Sequence, residues 1–246
     1  MPIRAILFDI GETLWHDAQR IPMSEFRRLG AERAAVFLAS IDRSDLDADV
    51  VAPLAWDALV AAISDAQSGD LVEPDYPEVV REALAEAGAA LSRDETAGLL
   101  EAVYVSGREA GKLPYPDARP VLDELQRRGF RLATITNRAF GGERFRADMR
   151  DAGLDIAWEV EAVSCELGYL KPHPRIFEWT LDKLALPPQD LLMVGNSLAQ
   201  DVAGAQRHGI ATAWRRCKPD AEGVTPDYTI DELTDLLDLP PLRGCA

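Results

Sequence analysis

Short apolar runs in this sequence are followed by polar side chains that could carry out a nucleophilic hydrolysis. These groups are a carboxylate, a hydroxyl, an ammonium, and an amide with a second carboxylate: Asp9, Thr136, Lys171, and Asn196 with Asp201. A carboxylate that ends a hydrophobic strand is desolvated unless a lysine or a bound cation pairs with it. The set offers a nucleophile, a hydroxyl donor, a cation and a metal-binding acid, provided that the fold brings them together.

Four apolar runs have the length and flanking residues of buried strands: Ala5 to Phe8, Leu132 to Ile135, Leu191 to Val194 and Ala211 to Trp214. After residue 115, helical patterns alternate with these runs. This alternation predicts right-handed βαβ crossovers and a mainly parallel sheet that helices cover on both faces. Because polar strand ends meet at the carboxyl edge of such a sheet, we expect the site there.

Residues 16–113 interrupt this alternation, since they show helical periodicity and almost no strand signal. Their apolar spacing indicates about four helices. Ser92 followed by Glu95 is a capping-box signature for the last of them. We therefore expect a core formed by residues 1–15 and 114–246, with a helical domain, residues 16–113, inserted into it.

The charge balance argues against nucleic acid and membrane surfaces as partners. The chain has 42 acidic and 26 basic residues, a formal net charge of -16, which repels phosphate backbones and anionic lipids. A phosphate-binding site would have to supply positive charge locally. The three cysteines show no CxxC spacing, and the N-terminus resembles neither a signal peptide nor a membrane span, so we expect a cytoplasmic protein.

Four motifs resemble, in order, those of the haloacid dehalogenase superfamily. They are AILFDIGETL at residues 5–14, ATITN at 133–137, GYLKPHP at 168–174, and VGNS at 194–197 running on to Asp201. Each motif alone is weak, whereas four in the right order are specific. The resemblance implies an α/β fold: a Rossmann-like three-layer core with a parallel sheet, into which an α-helical bundle cap is inserted after the first strand.

The resemblance also implies a mechanism, in which Asp9 attacks phosphorus while Thr136 and Lys171 hold the transferring oxygens. It implies Mg²⁺ as the cofactor, and the residues that would hold it are Asp9, the backbone carbonyl of Gly11, Asn196 and Asp201. Residues expected around the substrate phosphate are Gly11, Glu12, Thr13, His16 and Asn137. On this interpretation the chain is a phosphatase that acts on a small phosphorylated metabolite through an aspartyl-phosphate.

Two positions depart from the family's phosphatase pattern. Gly11 stands where phosphatases usually carry an aspartate as general acid and base, a loss that typically lowers the rate about 10²- to 10⁴-fold. Asn196 stands where the fourth motif usually has an aspartate, and an amide oxygen coordinates Mg²⁺ without neutralising its charge. Glu12 and His16, just beyond the nucleophile, are the candidate surrogates for the missing acid.

These departures leave two alternatives open. A metal-independent haloacid dehalogenase needs neither a proton for its leaving group nor a metal, so it tolerates both substitutions. A catalytically weakened member that only binds a phosphorylated ligand is the other alternative, against which intact Asp9 and Lys171 argue. The sequence does not identify the substrate, and it fits a monomer and a homodimer equally.

Overall fold

The computed structural model describes residues 2–217 and 223–243, and the chain divides into two compact units. The first comprises Met1–Ala18 and Lys112–Ala246, and the second comprises Gln19–Gly111. The expected boundaries, after residue 15 and before residue 114, lie a few residues away. The reason is a short antiparallel pair, β2 (Trp15–His16) with β3 (Leu113–Pro114), which both belong to the first unit.

The first unit is built on a six-stranded parallel sheet. Its strands are β1 (Ala5–Phe8), β4 (Arg131–Thr136), β5 (Val160–Val163), β6 (Leu191–Gly195), β7 (Ala211–Arg215) and β8 (Tyr228–Ile230), in the order β5-β4-β1-β6-β7-β8. In the centre, Phe8 of β1 aligns with Thr134 on one side and Val194 on the other. The predicted α/β fold with a parallel sheet is confirmed.

Two strands of this sheet, β5 and β8, were not predicted. Glu161 interrupts the apolar run of β5, and β8 has only three residues, one of them exposed. Both strands lie at the edges of the sheet, where a strand is buried on fewer sides and its sequence need not be continuously apolar.

Helices flank this sheet on both faces. They are α5 (Ala118–Arg127), α6 (Gly142–Asp151), α7 (Ser164–Leu167), α8 (Pro174–Leu184) and α9 (Ala203–Gln206), with a π-helical turn at Leu198–Val202 and 3₁₀ turns at Pro188–Asp190, Leu233–Asp238 and Pro240–Leu242. Alternate residues of β1 enter two different apolar clusters: Ile6 packs in one with Leu122, and Leu7 packs in the other with Phe177. Such alternation gives the three-layer core that the sequence predicts.

The second unit is helical. Its helices are α1 (Met23–Ser40), α2 (Ala48–Ser68), α3 (Tyr76–Glu86) and α4 (Arg93–Val103). The predicted capping box at the start of α4 is present, because Ser92 accepts from the Glu95 backbone and Glu95 accepts from the Ser92 backbone. None of the described helices combines the length and hydropathy of a membrane span.

Candidate active site

A buried ammonium group lies between two carboxylates at the carboxyl edge of the sheet. Lys171 Nζ is 2.8 Å from Asp9 Oδ1 and 2.7 Å from Asp201 Oδ1, and the lysine side chain is only 1% exposed. Asp9 follows β1, Lys171 lies between α7 and α8, and Asp201 lies in the π-helical turn after β6. Three separated segments of the chain therefore meet at the carboxyl edge of the sheet, where the sequence places the site.

The protonation of this cluster follows from burial and charge together. Burial lowers the pKa of Lys171, but the carboxylates of Asp201 and Asp9 outweigh it, so the pKa lies above its usual value and the side chain stays an ammonium ion. Burial raises the pKa of Asp201 to about 6, against the lowering effect of Lys171 and with a further rise from Asp9. A fixed positive charge therefore stands beside Asp9.

Asp9 remains accessible, because 11% of its side chain is exposed. Its second carboxylate oxygen, Oδ2, accepts a hydrogen bond from the hydroxyl of Thr13 at 3.0 Å. Its backbone N–H donates to the carbonyl of Val194 on β6. The carboxylate is thus fixed in orientation through both oxygens, which suits a nucleophile that must meet a substrate in one direction.

Asn137 contacts the lysine loop with its side-chain amide. Its Nδ2 donates to the Lys171 carbonyl at 3.1 Å, and its Oδ1 accepts from the Lys171 N–H at 2.7 Å. The same Nδ2 lies 3.4 Å from Gln200 Oε1. In this structure the amide of Asn137 therefore holds the backbone of Lys171. Thr136, the last residue of β4, is buried beside it, on the strand next to β1.

The turn after Asp9 holds the other expected substrate residues. Gly11 is exposed, and Glu12 has a left-handed backbone, with φ of 55°. Glu12 Oε1 accepts from the Asp17 N–H at 2.9 Å, and His16 Nδ1 accepts from the Ala18 N–H at 3.2 Å. A cavity of about 650 Å³ is lined by Glu12, His16, Asp17, Ala18 and Tyr115. Both candidate surrogate acids therefore face a cavity that could hold part of a substrate.

The oxygen donors near Asp9 suit a small, hard cation. Two carboxylates share one ammonium group, and Asp201 Oδ2 accepts from the Ser197 N–H at 2.9 Å. Asn196 follows β6, and its backbone carbonyl accepts from Trp214 Nε1. Among residues 2–217 and 223–243 no group of three or more His, Cys, Asp or Glu could hold a metal ion. A magnesium site here would thus need amide and backbone oxygens besides the carboxylates, which are ligand types that Mg²⁺ accepts.

Two contacting residues were missed by sequence reasoning: Gln200 and Arg215. Gln200 contacts the site through its side-chain amide, for which no sequence pattern exists, whereas Ser197, which contacts it through its backbone N–H, lies in the fourth motif. Arg215 did carry a signal, since it is a charged residue that closes the apolar run Ala211 to Trp214. It is buried, and its Nη1 donates to the Glu12 carbonyl at 2.9 Å.

Comparison with known proteins shows which proteins this chain resembles. A phosphoserine phosphatase of Thermus thermophilus is 34% identical over 166 residues, covering 66% of this chain and 64% of that protein. A glyceraldehyde 3-phosphate phosphatase of Methanopyrus kandleri is 26% identical over 246 residues, covering 96% and 97%. The match to the first relative thus leaves more than a third of that protein unpaired.

Among solved structures, a 2-haloacid dehalogenase of Pseudomonas syringae pv. Tomato superimposes with a TM-score of 0.64 at 22% identity, covering 96% of this chain and 97% of that one. At this identity the likeness shows the fold alone. Residues 3–209 match the family model described as haloacid dehalogenase-like hydrolase. The chain therefore belongs to the haloacid dehalogenase-like hydrolases.

Proposed function

We propose that this hydrolase is a phosphatase in which Asp9 attacks the phosphorus of a small phosphorylated metabolite. The observation that carries the proposal is the Lys171 ammonium, which contacts both Asp9 and Asp201 inside the protein. A phosphoryl group is anionic, and so is the nucleophile, so that their approach needs a fixed positive charge. In a chain of net charge -16, Lys171 supplies that charge locally.

The reaction proceeds in two steps on this proposal. An Asp9 carboxylate oxygen forms a bond to phosphorus while the bond from phosphorus to the leaving group breaks, which gives an aspartyl-phosphate. Water then attacks phosphorus and releases inorganic phosphate and free Asp9. Lys171 and Thr136 hold the transferring oxygens, and Thr13 keeps the carboxylate oriented through its hydrogen bond.

Magnesium is the proposed cofactor, held by Asp9, the Gly11 carbonyl, Asn196 and Asp201. When bound, it offsets the repulsion between the substrate's phosphate and the nucleophile. The amide of Asn196 leaves one negative charge fewer than the family's usual aspartate, so the affinity for Mg²⁺ is expected to be reduced and not abolished.

The relatives support a phosphate substrate. Two of them are named for phosphoserine and glyceraldehyde 3-phosphate, both small phosphorylated metabolites. The helical unit, residues 19–111, is proposed to be the family's cap and to select among such substrates. Because Gly11 offers no acid for the leaving group, we expect a preference for acyl and aryl phosphates, whose leaving groups need little protonation.

A haloacid dehalogenase activity is the second candidate. Gly11 and Asn196 favour it, because a reaction that releases halide without a metal tolerates both residues. The phosphatase relatives favour a phosphatase. So does the fourth motif, in which Gly195-Asn196-Ser197 is followed by Asp201 with the spacing that is typical of the family's phosphatases.

One panel of substrates separates these functions. Purified protein is assayed on phosphorylated metabolites and on 2-haloacids, with Mg²⁺ and with a chelator, beside the variant Asp9→Asn. We expect phosphate release that needs Mg²⁺ and is lost in the variant. Halide release that survives the chelator would establish the dehalogenase instead. Stabilisation by inorganic phosphate without turnover of any compound would indicate a protein that only binds a phosphorylated ligand.

A further inference from the structure

Arg215 is a buried arginine for which the structure provides no carboxylate. It is the last residue of β7 and is only 5% exposed. Burying a guanidinium without an opposite charge is unfavourable unless other groups satisfy it. The chain has 42 acidic residues, yet none of those within residues 2–217 and 223–243 forms an ion pair with Arg215. An ion pair therefore does not explain why Arg215 is buried.

The contacts of Arg215 converge on the turn that follows Asp9. Nη1 donates to the backbone carbonyl of Glu12 at 2.9 Å, and the guanidinium carbon lies 3.5 Å from the centre of the Tyr115 ring. The thiol of Cys217, itself 3.3 Å from Nη1, donates to the same carbonyl at 3.0 Å. Nε is buried and has no acceptor in the part of the chain that the structure describes. The Glu12 carbonyl thus accepts two hydrogen bonds, one of them from a buried arginine.

That carbonyl belongs to a residue with an unfavourable backbone. Glu12 has φ of 55°, in the left-handed region where a side chain crowds the following carbonyl. Such a conformation persists only when the surrounding structure enforces it, and it occurs most often at functional sites. The two hydrogen bonds to the Glu12 carbonyl hold this turn together with those from the Thr13, Leu14 and Trp15 N–H groups to the Ile10 carbonyl.

The conformation of Glu12 determines where its two neighbours lie. Thr13 follows it, and the Thr13 hydroxyl donates to Asp9 Oδ2 at 3.0 Å. Gly11 precedes it, and the Gly11 carbonyl is a proposed magnesium ligand. A relaxed Glu12 would turn the Thr13 hydroxyl away from Asp9 and reorient the Gly11 carbonyl.

We propose that Arg215 is a positioning residue for the nucleophile: its buried guanidinium holds the left-handed turn at Glu12 and thereby keeps the Thr13 hydroxyl on Asp9. The expected effect on turnover rests on the proposed hydrolase function, whereas the effect on the turn does not. The ring of Tyr115 packs on the guanidinium at 3.5 Å and limits where it can move.

The test compares Arg215→Met with Arg216→Met, its neighbour, which is exposed and paired with Asp231. Amide hydrogen exchange at residues 13–15 is measured together with kcat and KM. These amides donate to the Ile10 carbonyl and report on the turn. In Arg215→Met we expect exchange at these amides to rise about tenfold or more, with kcat falling about tenfold and KM changing about twofold at most. Arg216→Met should match the wild type in all three.

A rescue distinguishes this role from simple packing. Asparagine adopts the left-handed region more readily than glutamate. Glu12→Asn in the Arg215→Met background should therefore restore part of the exchange protection at residues 13–15, while Glu12→Gln should not. If Arg215→Met does not fold, Arg215→Lys replaces it, since a lysine keeps the charge but not the planar stack on Tyr115.

Exchange at residues 13–15 that stays at the wild-type rate in the Arg215 variant would overturn the proposal, as would equal rescue by Glu12→Asn and Glu12→Gln. The exchange measurement decides the matter even if wild-type protein hydrolyses no phosphate, so failure of the proposed function remains distinguishable from failure of this inference.

Discussion

At the scale of single residues, the ammonium of Lys171 allows two carboxylates, Asp9 and Asp201, to lie near each other inside the protein. Without its ammonium, Asp9 and Asp201 would be two carboxylates near each other at a buried sheet edge. Like charges so placed cannot both ionise without a large cost. The lysine thus serves folding as well as the proposed chemistry.

Replacing Lys171 tests this double role. Lys171→Met should lower the free energy of unfolding by about 3–5 kcal/mol, because it leaves buried carboxylates without a counter-charge. Urea denaturation of metal-free protein measures the loss. Lys183→Met, at an exposed lysine on α8, should change stability by less than about 0.5 kcal/mol. Equal stability of the two variants would show that Lys171 does not hold the carboxylates together.

Gly11 permits a gain-of-function experiment. A Cβ built at this position meets no atom within 4 Å, and the backbone is not left-handed, so a side chain fits there. Gly11→Asp should therefore supply the missing acid and raise kcat/KM for alkyl phosphates by about 10²-fold, with a smaller gain for aryl phosphates. Gly11→Asn has the same shape without the acid and serves as the control.

Equal rates for these two position-11 variants would mean that another group already protonates the leaving group. His16 and Glu12 would then be the residues to replace, since both line the neighbouring cavity.

How far the sequence predicted this site depends on the kind of contact. Asp9, Lys171 and Asp201 could be recognised because each carries its own charge in a motif. Asn137 was expected near the substrate phosphate, whereas its amide holds the backbone of Lys171. Arg215 was not identified, although it closes the apolar run Ala211 to Trp214, because its contact with the Glu12 carbonyl becomes visible only in the folded chain.

At the scale of elements, the site depends on how closely the π-helical turn approaches the end of β6. A Cβ on Gly195, the last residue of β6, would overlap the carboxylate of Asp201. Only a glycine at position 195 lets the π-helical turn pack this close to the end of β6. This packing brings the Asp201 carboxylate into contact with Lys171 Nζ.

Gly195→Ala should therefore cost about 1–3 kcal/mol of stability, as overpacked substitutions do, and should weaken magnesium binding. Gly30→Ala in α1 is the control, because its added methyl meets only Ala52 Cβ, at 4.0 Å. Chemical denaturation and calorimetric titration with Mg²⁺ measure the two effects. The interpretation fails if Gly195→Ala is as stable as Gly30→Ala and binds Mg²⁺ as tightly.

His208, which follows α9, provides a pH test of helix packing. Its ring stacks on Phe177 of α8 at 5.3 Å. Burial lowers the pKa of His208, Glu178 raises it and Arg207 lowers it, for a net decrease. The unfolded chain therefore binds a proton near pH 6.5 while the folded chain does not. Stability from this group is present above that pH and is lost as the pH falls towards the folded pKa.

The stability difference between wild type and His208→Gln should accordingly shrink as the pH is lowered from about 7.5 to 5.5. Urea denaturation across this range measures it. A constant difference would mean that the imidazole is equally protonated in both states, and a difference that grows would mean that folding raises its pKa; either result contradicts this interpretation.

The sequence predicted the central strands more reliably than the edges. β1, β4, β6 and β7 are apolar runs because helices cover both faces of the sheet there. The edge strands β5 and β8 lack that constraint, so their sequences carried too little signal.

At the scale of the whole molecule, an acidic chain buries one positive charge between two carboxylates. The net charge of -16 disfavours anionic ligands over most of the surface, and the ammonium of Lys171 offsets part of the negative charge at the site. The central claim is that Asp9 forms a covalent bond to phosphorus. The dehalogenase alternative also uses Asp9 as its nucleophile, but there the bond forms to carbon.

Turnover in water labelled with heavy oxygen tests this claim most directly, because the two reactions place the label differently. Water attacks phosphorus in an aspartyl-phosphate, so the label leaves with phosphate. In a carbon ester of Asp9, water attacks the carboxyl carbon, and the label stays in the protein. We predict labelled phosphate and, in acid-quenched samples taken during turnover of an aryl phosphate, an Asp9 peptide that carries a phosphoryl group and no label in its carboxylate, both by mass spectrometry. Label in the Asp9 carboxylate, or labelled phosphate without a phosphorylated Asp9, would contradict the account.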